Sequence, residues 1–339
     1  MNQRTVVCIL ALATLAACGN GAVMQSADGR YRVVHQSDAR WKGDVARTEM
    51  ESVLERFPQI DVIYAHNDPM AHGAAQACKQ KGRTGVRIIG VDGLAGEGLE
   101  YVAQGLLDAT FEYPTCGAAA IDLGLLAVSG IDVPKEFELG TRLFTKANLA
   151  AGGEVEAAPG DFALAGLRRQ HAAILTTEPA NDVVFRFGMA QCTDDEPWRV
   201  AMRRDLQAAA DRYPQVVLDY RAADDDVEKQ RGIVRDFIAQ GFNCILISPK
   251  ESLALAAACK EAMAAGIKVI VIDRRLGSDD YTSFVGGSNR RIGEQAGHYI
   301  ASLLGDDGGT IVELQGLMTS SPGQDRHAGF AEALGLKRP

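Results

Sequence analysis

The feature that most limits how this chain can fold is a run of apolar, β-branched residues that returns about every 25–30 residues, with amphipathic helical stretches between. A strand, a helix and a further strand in that order imply parallel pairing with right-handed crossovers. The runs form two sets. The first lies at 31–35, 61–65, 86–91 and 108–113, with helical segments near 43–56, 69–80, 96–104 and 117–128. The second lies at 182–191, 215–220, 244–247, 268–272, 282–285 and 310–314, with helices near 198–212, 225–240, 252–264, 291–304 and 325–334. A chain of 339 residues exceeds one typical core and suits two. The expected fold class is therefore α/β, with two doubly wound parallel-sheet lobes.

Between the sets, residues 150–181 carry Ala-Gly-Gly-Glu, Ala-Ala-Pro-Gly-Asp and Glu-Pro-Ala-Asn without a clear period. Small residues, Gly and Pro in that density read as a linker, able to span about 30 Å as a random coil.

The first residues read as an export signal, 1–17. Arg4 precedes an apolar stretch over 5–13 that is too short to cross a bilayer. It leads to Leu15-Ala16-Ala17-Cys18, similar to a bacterial lipoprotein signal with Cys18 as the lipidated residue. The alternatives are ordinary cleavage near Ala17 or a buried apolar helix. On the first two readings the protein works in the periplasm or cell envelope, touching the membrane only through an N-terminal anchor. A net charge of −9 argues against nucleic acid and against a polybasic membrane patch. Apart from Cys8 and Cys18, the cysteines are Cys78, Cys116, Cys192, Cys244 and Cys259, an odd number without metal-ligand spacing. Buried thiols fit them, and the spacing neither demands nor forbids a disulfide. No metal or cofactor is expected.

Ligands of open α/β sheets bind beyond the carboxyl ends of the strands. There the sequence places Asn67 and Asp68, Asp92 and Gly93, Ser248 and Pro249, Asp273 and Arg274, and Gln315 and Gly316. The two tryptophans, Trp41 and Trp198, also follow strands, one in each set. Carboxylates, amides and guanidinium groups match vicinal hydroxyls, and aromatic faces cover the C–H face of a sugar ring. Each element also has a plainer reading: an Asp that caps a helix, a Trp that packs, or Asn67-Asp68-Pro69 as a turn. Convergence of all of them carries the argument.

Enzymatic function finds no support in a Gly-x-Ser-x-Gly elbow, a Walker loop or a dinucleotide fingerprint. His66 and His72 are wrongly spaced for a helical metal pair, and Asp194-Asp195 reads as a loop. A lac-repressor-type effector core would share the fold, but the export signal and the lack of a helix-turn-helix segment weigh against it.

Gly188-Met-Ala-Gln-Cys-Thr-Asp-Asp-Glu-Pro-Trp-Arg199, Cys244–Pro249 and the Ile272-Asp273-Arg274 strand end resemble the class I periplasmic sugar-binding proteins of ABC transporters, the ribose- and galactofuranose-binding group. Val312-Glu-Leu-Gln-Gly316, Asp325-Arg-His-Ala-Gly-Phe330, Tyr64-Ala-His-Asn-Asp-Pro-Met-Ala71 and Ile89-Gly-Val-Asp-Gly93 match further motifs of that family. The order is reversed: the family's second half comes first, so the chain resembles a circular permutant. The resemblance implies a hinged fold of the periplasmic-binding-protein-like I type. One lobe would take 28–112 with 289–336, the other 113–135 with 181–288, and 150–181 would join the family's usual ends. It implies ligand contacts at Trp41, Asn67, Asp92, Trp198, Arg199, Asp273, Arg274 and Arg326, with Gln191 and Tyr113 also at the cleft. Trp198-Arg199 is closer to the galactofuranose-type pattern, and Tyr113 stands where ribose binders carry Gln. The implied function is non-catalytic capture of a monosaccharide (a pentose, hexose or furanose) for an ABC permease. A sensory role for a membrane histidine kinase or chemoreceptor is the alternative.

Overall fold

The computed structural model describes residues 23–176, 178 and 183–338. The expected signal 1–17 and Cys18 lie outside the described residues. The chain begins with β1 (Met24–Ser26), β2 (Tyr31–Asp38), α1 (Gly43–Arg56), β3 (Val62–Ala65) and α2 (Asp68–Gln80). It continues with β4 (Arg87–Asp92), α3 (Gly98–Gln104), β5 (Ala109–Glu112) and α4 (Gly117–Val128). A middle stretch adds β6 (Glu136–Leu139), β7 (Thr141–Thr145), β8 (Glu154–Glu156) and α5 (Pro159–Gln170). Then come β9 (Phe185–Gln191), α6 (Pro197–Ala210), β10 (Val216–Ala222), α7 (Val227–Ala239), β11 (Cys244–Ser248) and α8 (Ala256–Ala264). The last elements are β12 (Lys268–Ile272), β13 (Ser283–Gly287), α9 (Asn289–Leu304), β14 (Gly309–Gln315), α10 (Ser321–Ala333) and β15 (Leu336–Lys337).

Two sheets result. One has nine strands in the order β15-β1-β2-β14-β3-β4-β5-β7-β8, the other six in the order β10-β9-β11-β12-β13-β6. The six-stranded sheet is parallel throughout. The nine-stranded sheet is parallel only from β2 to β5, and its edges β15-β1-β2 and β5-β7-β8 pair antiparallel. The expected parallel sheets are present, with antiparallel strands added at both edges of the nine-stranded one. A short return such as Asp28–Arg30 between β1 and β2 can only make an antiparallel neighbour, because a parallel one needs a long crossover.

The strands read as apolar runs because both faces are covered. Ile63, Met70 and Leu314 pack with Met50 of α1 on one face of the nine-stranded sheet. Ile245 and Val269 pack with Phe237 of α7 on one face of the other. A third cluster runs through Tyr64, Phe111, Tyr113, Trp198, Phe187 and Leu246, and so joins the two sheets. Among the described residues, Cys78, Cys116, Cys192, Cys244 and Cys259 are buried free thiols, and no helix is long and apolar enough to cross a membrane.

The stretch 150–181 is not the structureless linker its composition suggests. It contains β8 on the nine-stranded sheet and α5, which packs on β6 of the other sheet. Pro159 starts the helix, and Asp161 accepts hydrogen bonds from the backbone N–H groups of Ala158 (2.8 Å) and Gly140 (3.0 Å). The helical period is hard to see because Leu164 is buried while Phe162 is 70% exposed.

Candidate functional site

The nine-stranded lobe supplies one wall of a cleft. Beyond β2 the backbone turns through Arg40 and Trp41 at φ 54° and 66°, which costs strain for non-glycine residues. The turn lays the indole of Trp41 against Gly316, where a Cβ would stand 2.1 Å from two ring carbons. Glycine is required there. Asn67 caps α2, with its Oδ1 accepting from Met70 N (3.0 Å) and its Nδ2 donating to the Trp41 carbonyl (3.1 Å). It is both a cap and a brace for the tryptophan.

Asp92 ends β4 at φ 124°. The turn after it is held by the buried Asp68, which accepts from Gly93 N (2.8 Å) and Thr110 Oγ1 (2.7 Å). Burial pushes the Asp68 carboxyl up to about 8. The Asp92 carboxylate accepts no hydrogen bond among the described residues, and it pairs with Arg326 Nη1 at 3.8 Å. Burial, reinforced by Asp68, Glu97 and Glu196, raises its carboxyl well above the ordinary range against the pull of Arg326. Arg326 projects from α10, donates Nε to Asn289 Oδ1 (2.8 Å) and Nη1 to the His66 carbonyl, and lies over the rings of Trp41 and Tyr113. Under it, the fully buried Glu313 bonds His66 (3.0 Å) and His327 (2.9 Å).

The second lobe supplies the other wall. Pro197 opens α6, so Trp198 and Arg199 fall in its first turn and face the strand ends. Trp198 Nε1 donates to the Tyr113 carbonyl (3.0 Å), and the two rings lie 5.2 Å apart. Arg199 Nη1 donates to Asp273 Oδ2 (2.7 Å) and Ser248 Oγ (2.9 Å), and Ser248 Oγ donates to the same carboxylate (3.0 Å). Asp273 sits at φ 65°. Burial pushes its carboxyl up, but Arg199, Arg274 and the two hydrogen bonds outweigh that and hold it below the ordinary value. Arg274 donates Nη1 to the Lys250 carbonyl (3.3 Å).

Nine of the ten expected residues therefore meet: Trp41, Asn67, Asp92, Tyr113, Trp198, Arg199, Asp273, Arg274 and Arg326 line one cavity. Gln191 does not. It is buried below the cleft, donating to Met202 Sδ (3.0 Å) and accepting from Cys192 N (2.9 Å). Being last in a strand fixes a residue's place but not its direction. Glu196 and Pro322 also line the cavity and were missed. Glu196 lay inside the motif at 188–199, with an ion pair to Arg199 (3.5 Å) that spacing alone could suggest; Pro322 carried no signal. Across the cleft the lobes touch through Lys42 and Asp195 (3.3 Å) and through Arg275 N donating to Ser321 Oγ (3.0 Å).

Three guanidinium groups and three carboxylates balance in the cavity. Buried donors there lack hydrogen-bond partners among the described residues: Trp41 Nε1, Arg199 Nε and Arg274 Nε. Buried donors without hydrogen-bond partners, beside a carboxylate that accepts no hydrogen bond, are costly to the fold and useful to a polar ligand.

A family model described as the periplasmic binding protein domain matches residues 15–131 and 187–338. The chain belongs to that family. Among curated relatives of this periplasmic binding protein, the ribose import binding protein of Bacillus subtilis (strain 168) is 31% identical over 150 residues, 44% of this chain and 48% of that one. The galactofuranose-binding protein of Escherichia coli (strain K12) is 30% identical over 150 residues, 43% and 47% of the two chains. A solved fructose-binding periplasmic domain of a hybrid two-component system is 41% identical with a TM-score of 0.42, covering 44% of this chain and 49% of its own. The chain spans about half the length of the curated relatives it matches.

Proposed function

We propose that the protein is an exported, non-catalytic solute-binding protein that closes its two lobes over one neutral monosaccharide and presents the closed form to an ABC sugar transporter. The observation that carries this reading is the convergence, from strand ends of both sheets, of balanced charges and of buried donors without hydrogen-bond partners around one cleft. Equal numbers of guanidinium groups and carboxylates favour a neutral polyol over a sugar phosphate. Because each lobe holds part of the contacts, ligand stabilises the closed arrangement over the open one. The names of the relatives, which bind ribose and galactofuranose, support the ligand class. A mature N-terminus lipidated at Cys18 belongs to the same reading, and mass spectrometry of the exported protein tests it.

We also infer that the chain is a circular permutant. The six-stranded sheet has its second, first, third, fourth and fifth strands in the spatial order β10-β9-β11-β12-β13. The parallel part of the other sheet, β2-β14-β3-β4-β5, takes the same 2-1-3-4-5 order only when β14 is counted ahead of β2. Residues 25–26 pair with 336–337, so the two ends of the described chain meet at one sheet edge. The two curated relatives named above align over just under half their length, which a swapped order accounts for.

Titration calorimetry with ribose, arabinose, galactose, fructose and xylitol, beside ribose 5-phosphate and sucrose, tests the function. A neutral monosaccharide or sugar alcohol should bind at micromolar level or tighter, while the phosphate and the disaccharide should not. Binding of none of the neutral compounds, or equal binding of the phosphate, would reject it.

A further inference from the structure

Two passages of the chain between the sheets run beside the cleft. One leaves β5 through Tyr113 into α4, and the other leaves β13 through Ser288 into α9, whose first residue is Asn289. Tyr113 and Asn289 are buried, at 2% and 6% exposure, and bonded to each other: Asn289 Nδ2 donates to the Tyr113 hydroxyl at 3.2 Å. From this pair the bonding runs both ways. Arg326 Nε, on α10 of the first lobe, donates to Asn289 Oδ1 at 2.8 Å. The Tyr113 hydroxyl donates to the carbonyl of Asp273, at the end of β12 in the second lobe, at 3.3 Å.

The chemistry gives this chain one polarity. Asn289 Oδ1 is taken by the guanidinium, so the amide turns its NH₂ to the phenol, and the single phenolic proton goes to the carbonyl. That carbonyl belongs to a residue at φ 65°, so the bond helps to hold a strained turn that aims a carboxylate into the cleft. Arg326 and Asp273 line the cavity, whereas Asn289 does not. When two lobes swing, the torsions that change are those of the linking segments. A relay with one member on each of two linking segments is complete only over a narrow range of hinge angle.

We propose that Asn289 and Tyr113 form a hinge relay, in which Asn289 is a positioning residue that ties lobe closure to the placement of Arg326 and Asp273. This rests on the reading of the cleft as a closing ligand site, but one arm of its test needs no ligand. Spin labels on cysteines replacing Gln104 and Lys260, one exposed site on each lobe, report lobe separation by pulsed electron resonance. Three variants are compared: Asn289→Asp, Tyr113→Phe and both together. The aspartate keeps an acceptor for Arg326 but offers the phenol a second acceptor, so the phenolic proton leaves the Asp273 carbonyl. Tyr113→Phe removes both phenolic bonds with little change of shape.

Each single variant should broaden the distance distribution and move it to longer separations. Each should weaken the best-bound monosaccharide of the panel by about fivefold, and the double variant by little more than the larger single effect. Unchanged distances and Kd in both single variants, or losses that multiply in the double variant, would overturn the relay. If none of the neutral compounds binds, the proposed function fails, and the distances still decide the relay.

Discussion

Asp92→Asn should raise stability and lower affinity, two effects that structural and ligand-binding roles drive in opposite directions. Asp92 is 6% exposed, and its carboxylate accepts no hydrogen bond among the described residues and has Arg326 no closer than 3.8 Å. Burial without a hydrogen-bonded partner raises its proton affinity in the folded state, with Asp68, Glu97 and Glu196 adding repulsion. A carboxyl raised in this way weakens the fold at neutral pH. The penalty is fully present above its folded pKa and gone below its unfolded one. An amide of nearly the same shape removes the charge, and Asn tolerates positive φ better than most residues. Recovering part of the desolvation penalty should add about 1–2 kcal/mol, a rise in Tm of a few degrees for a chain of this size. The ligand loses a charged acceptor in a dry cleft, which costs about 2 kcal/mol, or roughly thirtyfold in Kd. Thermal unfolding at pH 7 and pH 5 with calorimetric titration reads both effects, and the stability gain should shrink at pH 5. A lower Tm together with an unchanged Kd would refute the reasoning, because Asp92 would then be a structural residue.

Asp273→Ala should do the reverse for the fold, since it strips Arg199 and Ser248 of their shared acceptor and leaves the buried Arg199 with Glu196 as its remaining carboxylate partner. We expect a loss of about 3 kcal/mol in urea unfolding and at least a tenfold weaker Kd. Stability should also depend on two opposed sets of acids. Glu313, held at about 2 by hydrogen bonds from His327 and His66 that overcome its burial, contributes stability above pH 4.5 that is lost as pH falls towards 2. His327, raised chiefly by its bond to Glu313, contributes below its unfolded pKa and loses this as pH rises through the folded value. Asp68, up at about 8, and Glu97, up at about 7, weaken the fold at neutral pH and are relieved on acidification. Urea midpoints should therefore peak between about pH 5 and 7, and Glu313→Gln should flatten the acid limb; a limb of unchanged slope would contradict this. Finally, a chain that starts near residue 183, joins 338 to 23 by a short linker and ends near 176 should fold with a Tm within a few degrees of the parent and bind the same sugar. Failure to fold would argue against the permuted origin.

The alternation of apolar runs and amphipathic stretches was legible because doubly covered strands need continuous apolar sequence, and β2, β11, β12 and β14 lie where that pattern puts them. The site was legible for a related reason. Polar residues directly after such runs have few places to go except the carboxyl edge of the sheet, which is where Asn67, Asp92, Asp273 and Arg274 stand. What stayed hidden depends on direction or on weak burial. Gln191 ends β9 but turns towards Met202. β6 buries only Phe137, and α5 fully buries one leucine, Leu164, so neither stands out from composition. The bond between Asn289 and Tyr113 joins residues 176 positions apart and has no local trace.

On the proposed reading, early and late parts of the chain, in reversed order, together build one sugar site. A crystal structure of the protein with the best-bound monosaccharide of the panel tests it most directly. We predict one sugar ring in the cleft, with hydroxyls hydrogen-bonded both to Asp92 and Trp41 Nε1 from the early part and to Asp273 and Arg274 from the late part. A sugar held by one lobe alone, or seated outside the cavity lined by these residues, would contradict the account.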